Sequence, residues 1–212
     1  MSGGRLTVGL GLGGNLNDIP PFGFSGEKRV RRFTETIEVM KALWTQSEAH
    51  FQGEFWQLDG LKMEPKPLQS PHPPIWLGAR HVNALKRAVR HGDGWMGAGS
   101  STTDSFLTAV DQTRMYLEEA DRDPESFTIS KRVYVAVDND EDRAEARLKE
   151  WFGKRYGNAD LGSQVCVWGS TQKITEELAK VTQGGAEMVL INPAFDDMEH
   201  LDALMEEVIP NI

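Results

Sequence analysis

Two glycine-bearing segments stand out as places where this chain could do chemistry. The first is Gly9-Leu10-Gly11-Leu12-Gly13-Gly14, which reads literally as G-x-G-x-x-G. The second is Pro73-Pro74-Ile75-Trp76-Leu77-Gly78-Ala79-Arg80, followed by Val82-Asn83. In the second, an apolar strand runs straight into a helix. The exposed N–H groups and positive dipole end of such a helix make a natural anion site. Arg80 offers a planar charged clamp suited to phosphate, and Asn83, one turn in, an amide donor. A solvated surface arginine is the other reading of Arg80, and both remain open on residue chemistry.

The first segment is not a dinucleotide fingerprint. That fold needs a helix opening at the last glycines and an acidic residue about 20 positions on, at the end of a second strand. Here Asn15-Leu16-Asn17-Asp18-Ile19-Pro20-Pro21 follows, which no continuous helix accommodates, and then an amphipathic helix. What is left is a strand end stripped of side chains. It suits either close approach of a flat ligand to the backbone or tight strand–helix packing.

Other chemistries find no support. His50, His72, His81, His91 and His200 show no metal-ligand spacing, and no G-x-S-x-G elbow, Walker A loop or zinc signature occurs. Asp93-Gly94 is a turn signal, and a structural role is expected for Asp93. The net charge of −9 argues against a nucleic-acid partner. No apolar run approaches the roughly 18–20 residues of a membrane span, so no membrane partner is expected. The single cysteine, Cys166, fits a reducing cytoplasm.

Those sites must be carried by ordered elements. Val30, Phe33, Ile37, Met40 and Trp44 recur at spacings of 3, 4, 3 and 4 and predict a helix, with Ser25 as its N-cap. Strands are expected over Arg5 to Gly13, Ile75 to Leu77, Gly94 to Met96, Ser126 to Val137 and Glu187 to Ile191. Helices are expected over Val82 to His91, Thr102 to Ala120, Glu141 to Tyr156, Thr171 to Thr182 and Met198 to Val208. His50 to Trp56 reads as a ribbon turning at Gly53, and Gly157 to Trp168 as a mobile loop. Strand and helix alternate five times in one domain, 1–212, which signals a parallel sheet with helical crossovers. An open sheet and part of a barrel both satisfy that order.

The segments together resemble the bacterial luciferase-like monooxygenase family of flavin- and deazaflavin-dependent oxidoreductases. The resemblance runs through Ser2-Gly3-Gly4-Arg5-Leu6 into VGLGLGG, Arg29 with Glu35, Ala42-Leu43-Trp44 and Phe51-Gln52-Gly53-Glu54-Phe55. It continues through Pro65 to Gly78, then Arg87-Ala88 and Asp93-Gly94-Trp95. It is specific over residues 2–97 and looser beyond, through Trp168-Gly169-Ser170 and Met188 to Pro193. The resemblance implies an α/β fold of (β/α)8 TIM-barrel type, present here in part as about five C-terminal βα units, with three units expected before them. It implies FMN or coenzyme F420 as cofactor and a small-molecule substrate. Leu12, Gly13 and Asn17 would lie beside the cofactor, and Gly78, Ala79, Arg80 and Asn83 would hold its phosphate. Trp95 and Met96 would approach the same pocket, while Arg29 and Glu35 would be structural. One departure from the family is the phosphate turn itself, Gly-Ala-Arg where Gly-Gly and a small residue are common. The three missing units would line part of the cofactor pocket and bring substrate and catalytic groups, so at best weak activity is expected of the chain alone. A partial barrel would expose two parallel sheet edges, which predicts self-association as a homo-oligomer. The rival reading is a shortened, non-catalytic flavin-binding relative.

Overall fold

The structure is a computed structural model and describes residues 2–14 and 16–212. Among these residues eight strands and seven α-helices follow one another: β1 (Val8–Leu10), α1 (Arg29–Thr45), β2 (Ala49–Gln52), β3 (Gln57–Leu61), β4 (Ile75–Ala79), α2 (Val82–His91), β5 (Gly94–Gly97), α3 (Thr103–Glu119), β6 (Thr128–Val137), α4 (Glu141–Tyr156), α5 (Leu161–Val165), β7 (Val167–Gly169), α6 (Thr171–Gln183), β8 (Met188–Pro193) and α7 (Asp197–Ala203). A π-type turn over Leu204–Val208 extends α7. Strands β1, β4, β5, β6 and β7 lie side by side in that order, β8 pairs with β6, and every one of these pairs is parallel. The result is a curled parallel sheet, half of a barrel. The antiparallel ribbon β2–β3 stands apart from it.

Side-chain alternation divides the sheet into two faces. On one, Ile75, Leu77, Ala79, Trp95 and Ile129 form the core with Ile37 of α1, Leu85 and Val89 of α2, and Phe106, Val110 and Leu117 of α3. Val133, Val135 and Val167 continue it against Ile174 and Leu178 of α6 and Leu204 and Val208. On the other face lie Trp76, Gly78, Met96 and Arg132, which line a cavity. Beyond them Tyr134 and Ala136 are covered by Leu148 and Phe152 of α4 with Val165 and Cys166. Helix α4 thus folds across the concave face, not the convex one.

Strand β6 makes this possible by its length. Ser130 is in register with both Met96 and Met188, so β5 and β8 hold opposite edges. Val135 is in register with both Pro193 and Val167, so β7 takes up the edge that β5 leaves. The expected mobile loop over Gly157 to Trp168 is therefore corrected: it holds α5 and starts β7. Its apolar run, Val165-Cys166-Val167, is too short for periodicity to register. The predicted N-cap at Ser25 is also corrected. The helix begins at Arg29, after Lys28 in a left-handed conformation.

Strands β1 and β8 each have one pairing partner among the described residues. Met188 and Leu190 on β8 are 52% and 44% exposed, so this edge carries apolar surface.

Candidate active-site cavity

The cavity opens at the C-terminal ends of β1, β4 and β5 and measures about 830 Å³. That is within the roughly 300–1,000 Å³ of ligand sites, and such sites in parallel α/β folds lie at this end of the strands. One wall is the glycine-rich segment Gly9 to Gly14. A Cβ added at Gly9, Gly11 or Gly14 would meet nothing within 4 Å. Strand–helix packing therefore does not demand these glycines, and the space before them is open to a ligand. Leu12, Val30, Trp76 and Met96 give the cavity an apolar lining, while Leu10 packs against the core on the other face of the sheet.

The opposite wall is the β4–α2 turn. Gly78, Ala79, Arg80 and Asn83 all line the cavity. His81, the N-cap of α2, makes no side-chain capping bond. The Ala84 N–H turns back onto the His81 carbonyl at 2.8 Å, which leaves the N–H groups of Val82 and Asn83 to water or a ligand. Arg80 is exposed, and its Nη1 lies 3.4 Å from Ser100 Oγ. Two further guanidinium groups, Arg87 and Arg132, face the same space, and among the described residues no aspartate or glutamate lines it. Low-dielectric walls carrying one sign of charge focus a positive potential on whatever enters.

The expected site residues fall into two groups. Leu12, Gly13, Gly78, Ala79, Arg80, Asn83 and Met96 come together in the cavity wall. Asn17 sits on a short 3-10 turn, Leu16–Asp18, outside that wall. Trp95 points to the convex face, 2% exposed and stacked on Phe106 with ring centroids 5.4 Å apart. Neighbouring strand residues face opposite sides, so Trp95 and Met96 do not share one pocket. The indole Nε1 donates to the Ala79 carbonyl at 3.0 Å, which supports the turn from behind.

Several residues that the sequence reading passed over complete the site. Lys131 is 2% exposed, and its Nζ donates to Ala98 O at 2.5 Å, Ser101 O at 2.9 Å and Ser101 Oγ at 2.7 Å. Burial, helped by the nearby charge of Arg80, brings its ammonium down to about 8. It pins the β5–α3 loop, whose Ala98, Gly99 and Ser100 line the cavity. Tyr156, at the end of α4, reaches the far wall and lies 2.6 Å, hydroxyl to hydroxyl, from Tyr134. Burial and that bond push the Tyr134 phenol up to about 12. The sequence signal was Lys131-Arg132 inside an apolar strand: alternation sends one cation to each face.

Glu35 and Asp93 hold structure. Glu35 accepts from the backbone N–H of Phe55 at 2.8 Å and of Glu54 at 3.1 Å, fixing the β2–β3 ribbon to α1. Those bonds, the one from Phe55 first, hold its carboxyl below the usual range. Arg29 Nη1 lies 3.4 Å from Gly13 O, beside the loop that follows β1. Asp93 accepts from Ile75 N at 2.9 Å, and Arg122 bridges from it to the Val89 and Gly92 carbonyls. No group of three or more acidic, histidine or cysteine side chains that could hold a metal occurs among the described residues. No helix there is long and apolar enough to cross a membrane.

A curled parallel sheet with a cationic, glycine-rich cavity at its strand ends defines a protein of the barrel-type α/β class. The profile of the luciferase-like monooxygenase family matches residues 1–188, and the chain belongs to that family. The FMNH2-dependent dimethylsulfone monooxygenase of Pseudomonas putida is 30% identical over 169 residues, 77% of this chain and 46% of that protein. The F420-dependent hydroxymycolic acid dehydrogenase of Mycobacterium tuberculosis is 30% identical over 164 residues, 76% of this chain and 44% of that one. The chain thus spans under half the length of these curated relatives. Among solved structures, an F420-dependent secondary alcohol dehydrogenase in complex with an F420–acetone adduct superposes with a TM-score of 0.82 at 20% identity. The match covers 98% of this chain and 70% of that one. The F420-dependent tetrahydromethanopterin reductase from Methanopyrus kandleri gives a TM-score of 0.76 at 18% identity, covering 99% and 75%. These likenesses establish the TIM-barrel type of the fold.

Proposed function

We propose that this chain is the cofactor-binding part of an oxidoreductase that uses FMN or coenzyme F420 on a small-molecule substrate. One observation carries the reading: one cavity joins a glycine-rich wall to an uncapped helix N-terminus and three arginines, with no carboxylate among the described residues of its lining. The wall from Gly9 to Gly14 leaves room for a flat ring against the backbone. Gly78, Ala79, Arg80 and Asn83 would hold the phosphate, with the backbone N–H groups of Val82 and Asn83 at the start of α2. When bound, such a group supplies hydride transfer or, as reduced FMN, oxygen activation. The chain's own residues would seat the ring beside Leu12, Gly13 and Met96, and Trp76 and Val30 would exclude water from it. The family's curated members include users of both cofactors, which supports keeping the two together.

The exposed Met188 and Leu190 beside the free edge of β8 support self-association as a homo-oligomer. A lone buried thiol, Cys166, supports residence in the cytoplasm.

Fluorescence and thermal-shift titration of the chain with FMN and with coenzyme F420 test the reading. Saturable binding of one ligand is expected, weakened about tenfold by Arg80→Ala, which corresponds to roughly 1.4 kcal/mol. A folded chain that binds neither would overturn it.

A further inference from the structure

One phosphate does not use all the charge in this cavity. Of its three arginines, Arg132 is held within the protein: its Nε donates to Asn192 Oδ1 at 2.6 Å, and its guanidinium lies 4.8 Å from the centre of the Tyr134 ring. Arg80 has Ser100 Oγ at 3.4 Å and stands at the phosphate turn. Arg87 is different. It is half-buried in the cavity wall, and no hydrogen bond, ion pair or ring contact holds its guanidinium among the described residues. Burial alone draws it below its ordinary value, with no carboxylate to offset the loss. Taking an arginine partly out of water without a partner costs free energy, a cost that an anion entering the cavity would offset.

Its position says where that anion would sit. Asn83 and Arg87 are four residues apart on α2 and both line the cavity, so they share one face of the helix, about 6 Å apart along its axis. Two cationic positions are therefore laid out in a row, the turn at the start of α2 and Arg87 beyond Asn83.

We propose that Arg87 forms a second anion site, separate from the Gly78–Arg80 turn, which takes a further carboxylate or phosphate on the tail of the cofactor. The chain then favours a cofactor whose tail carries anionic groups beyond its first phosphate, such as coenzyme F420, over FMN, which ends in one. This rests on the cavity being the cofactor seat.

The test is a set of binding titrations by fluorescence with the 212-residue chain, using FMN and coenzyme F420 as the two probes, at low and at raised salt. The variants are Arg87→Gln, Arg87→Lys and Arg80→Gln, each checked for an unchanged thermal melt. Arg87→Gln should weaken F420 binding about tenfold while changing FMN binding less than about twofold, and Arg87→Lys should restore part of the loss. Arg80→Gln should weaken both ligands. The part of F420 affinity that depends on Arg87 should shrink as salt rises. Equal loss for both ligands on Arg87→Gln, or no loss for either, overturns the second site and leaves the cofactor seat standing. A folded chain that binds neither probe overturns the seat and the second site together.

Discussion

The indole nitrogen of Trp95 donates to the carbonyl oxygen of Ala79 at 3.0 Å, joining the middle of β5 to the end of β4 behind the turn that faces the cavity. Both residues are buried, so this carbonyl has little water to turn to if the donor is lost. Trp95→Phe keeps a ring to stack on Phe106 but removes the donor. It should cost about 1–3 kcal/mol, the penalty for an unsatisfied buried acceptor, read by urea unfolding. Ligand affinity should fall with it, because the Ala79 carbonyl lies in the turn that presents Arg80. Full stability in Trp95→Phe would show that the bond does not hold the turn.

Lys131 makes the stability of this chain depend on pH in an unusual direction. Its folded-state value is brought down to about 8 from an ordinary 10.5. Between those values the unfolded chain binds more protons than the folded one, so this residue's contribution is least favourable below about 8 and improves as pH rises towards 10.5. Burial shifts Cys166 and Tyr134 upwards, so both work the other way at high pH. Those two are shared with a Lys131→Met variant, and subtracting its unfolding free energy from that of the wild type isolates the lysine. The difference should shift in favour of the wild type by on the order of 2 kcal/mol between pH 7 and 10. A flat difference across urea melts at those pH values would show that Lys131 is not displaced from its ordinary value.

Asp93 opens a conspicuous turn signal, Asp93-Gly94, and lies near the cavity-bearing strands, yet its bonds are internal. It accepts from Ile75 N at 2.9 Å and faces Arg122, whose Nη1 reaches Val89 O at 2.7 Å and Gly92 O at 2.6 Å. Asp93→Ala should lower stability by about 1–3 kcal/mol, because the Ile75 N–H loses its acceptor. Asp93→Asn, which keeps an oxygen there, should lose less. Neither should change the dissociation constant of the ligand in protein that remains folded. A binding defect in the stable Asp93→Asn protein would move this residue into the site.

Much of this arrangement was legible in the residues, and the exceptions share a physical cause. The stripe Val30, Phe33, Ile37, Met40 and Trp44 announces the helix face that packs Phe33, Ile37 and Trp44 on the core, although Val30 at its start is exposed in the cavity wall. Helices α2 and α4 begin and end where their residues predict. An amphipathic stripe says that a face is buried but not against which side of a sheet. Nothing in Leu148 and Phe152 therefore announced that α4 crosses the concave face onto Tyr134. For the same reason Trp95 and Met96 read as one motif, although adjacent strand residues face opposite ways. Arg87 was noticed only as part of a family pattern. Its distinction, a guanidinium lining a cavity with no partner, exists in three dimensions alone.

The glycine wall offers the sharpest separation of folding from function. In the sequence, Gly9 and Gly11 suit close packing and ligand approach equally well. In the structure, a Cβ at Gly11 would meet nothing within 4 Å, and Gly11 does not have the positive φ that only glycine adopts easily. Gly11→Val should therefore leave the unfolding free energy within about 0.5 kcal/mol of the wild type, as for substitutions that touch little. The same side chain would stand where the cofactor ring is proposed to lie, and binding of FMN and of coenzyme F420 should both be lost. A parallel Gly94→Ala variant serves as the contrast. Its new Cβ would come within 2.6 Å of Trp76 Cδ1 and 2.7 Å of Thr128 O, so it should destabilise by about 1–3 kcal/mol as an overpacked core. If Gly11→Val instead unfolds the chain, the glycines serve packing. If it is stable and still binds, the ring lies elsewhere in the cavity.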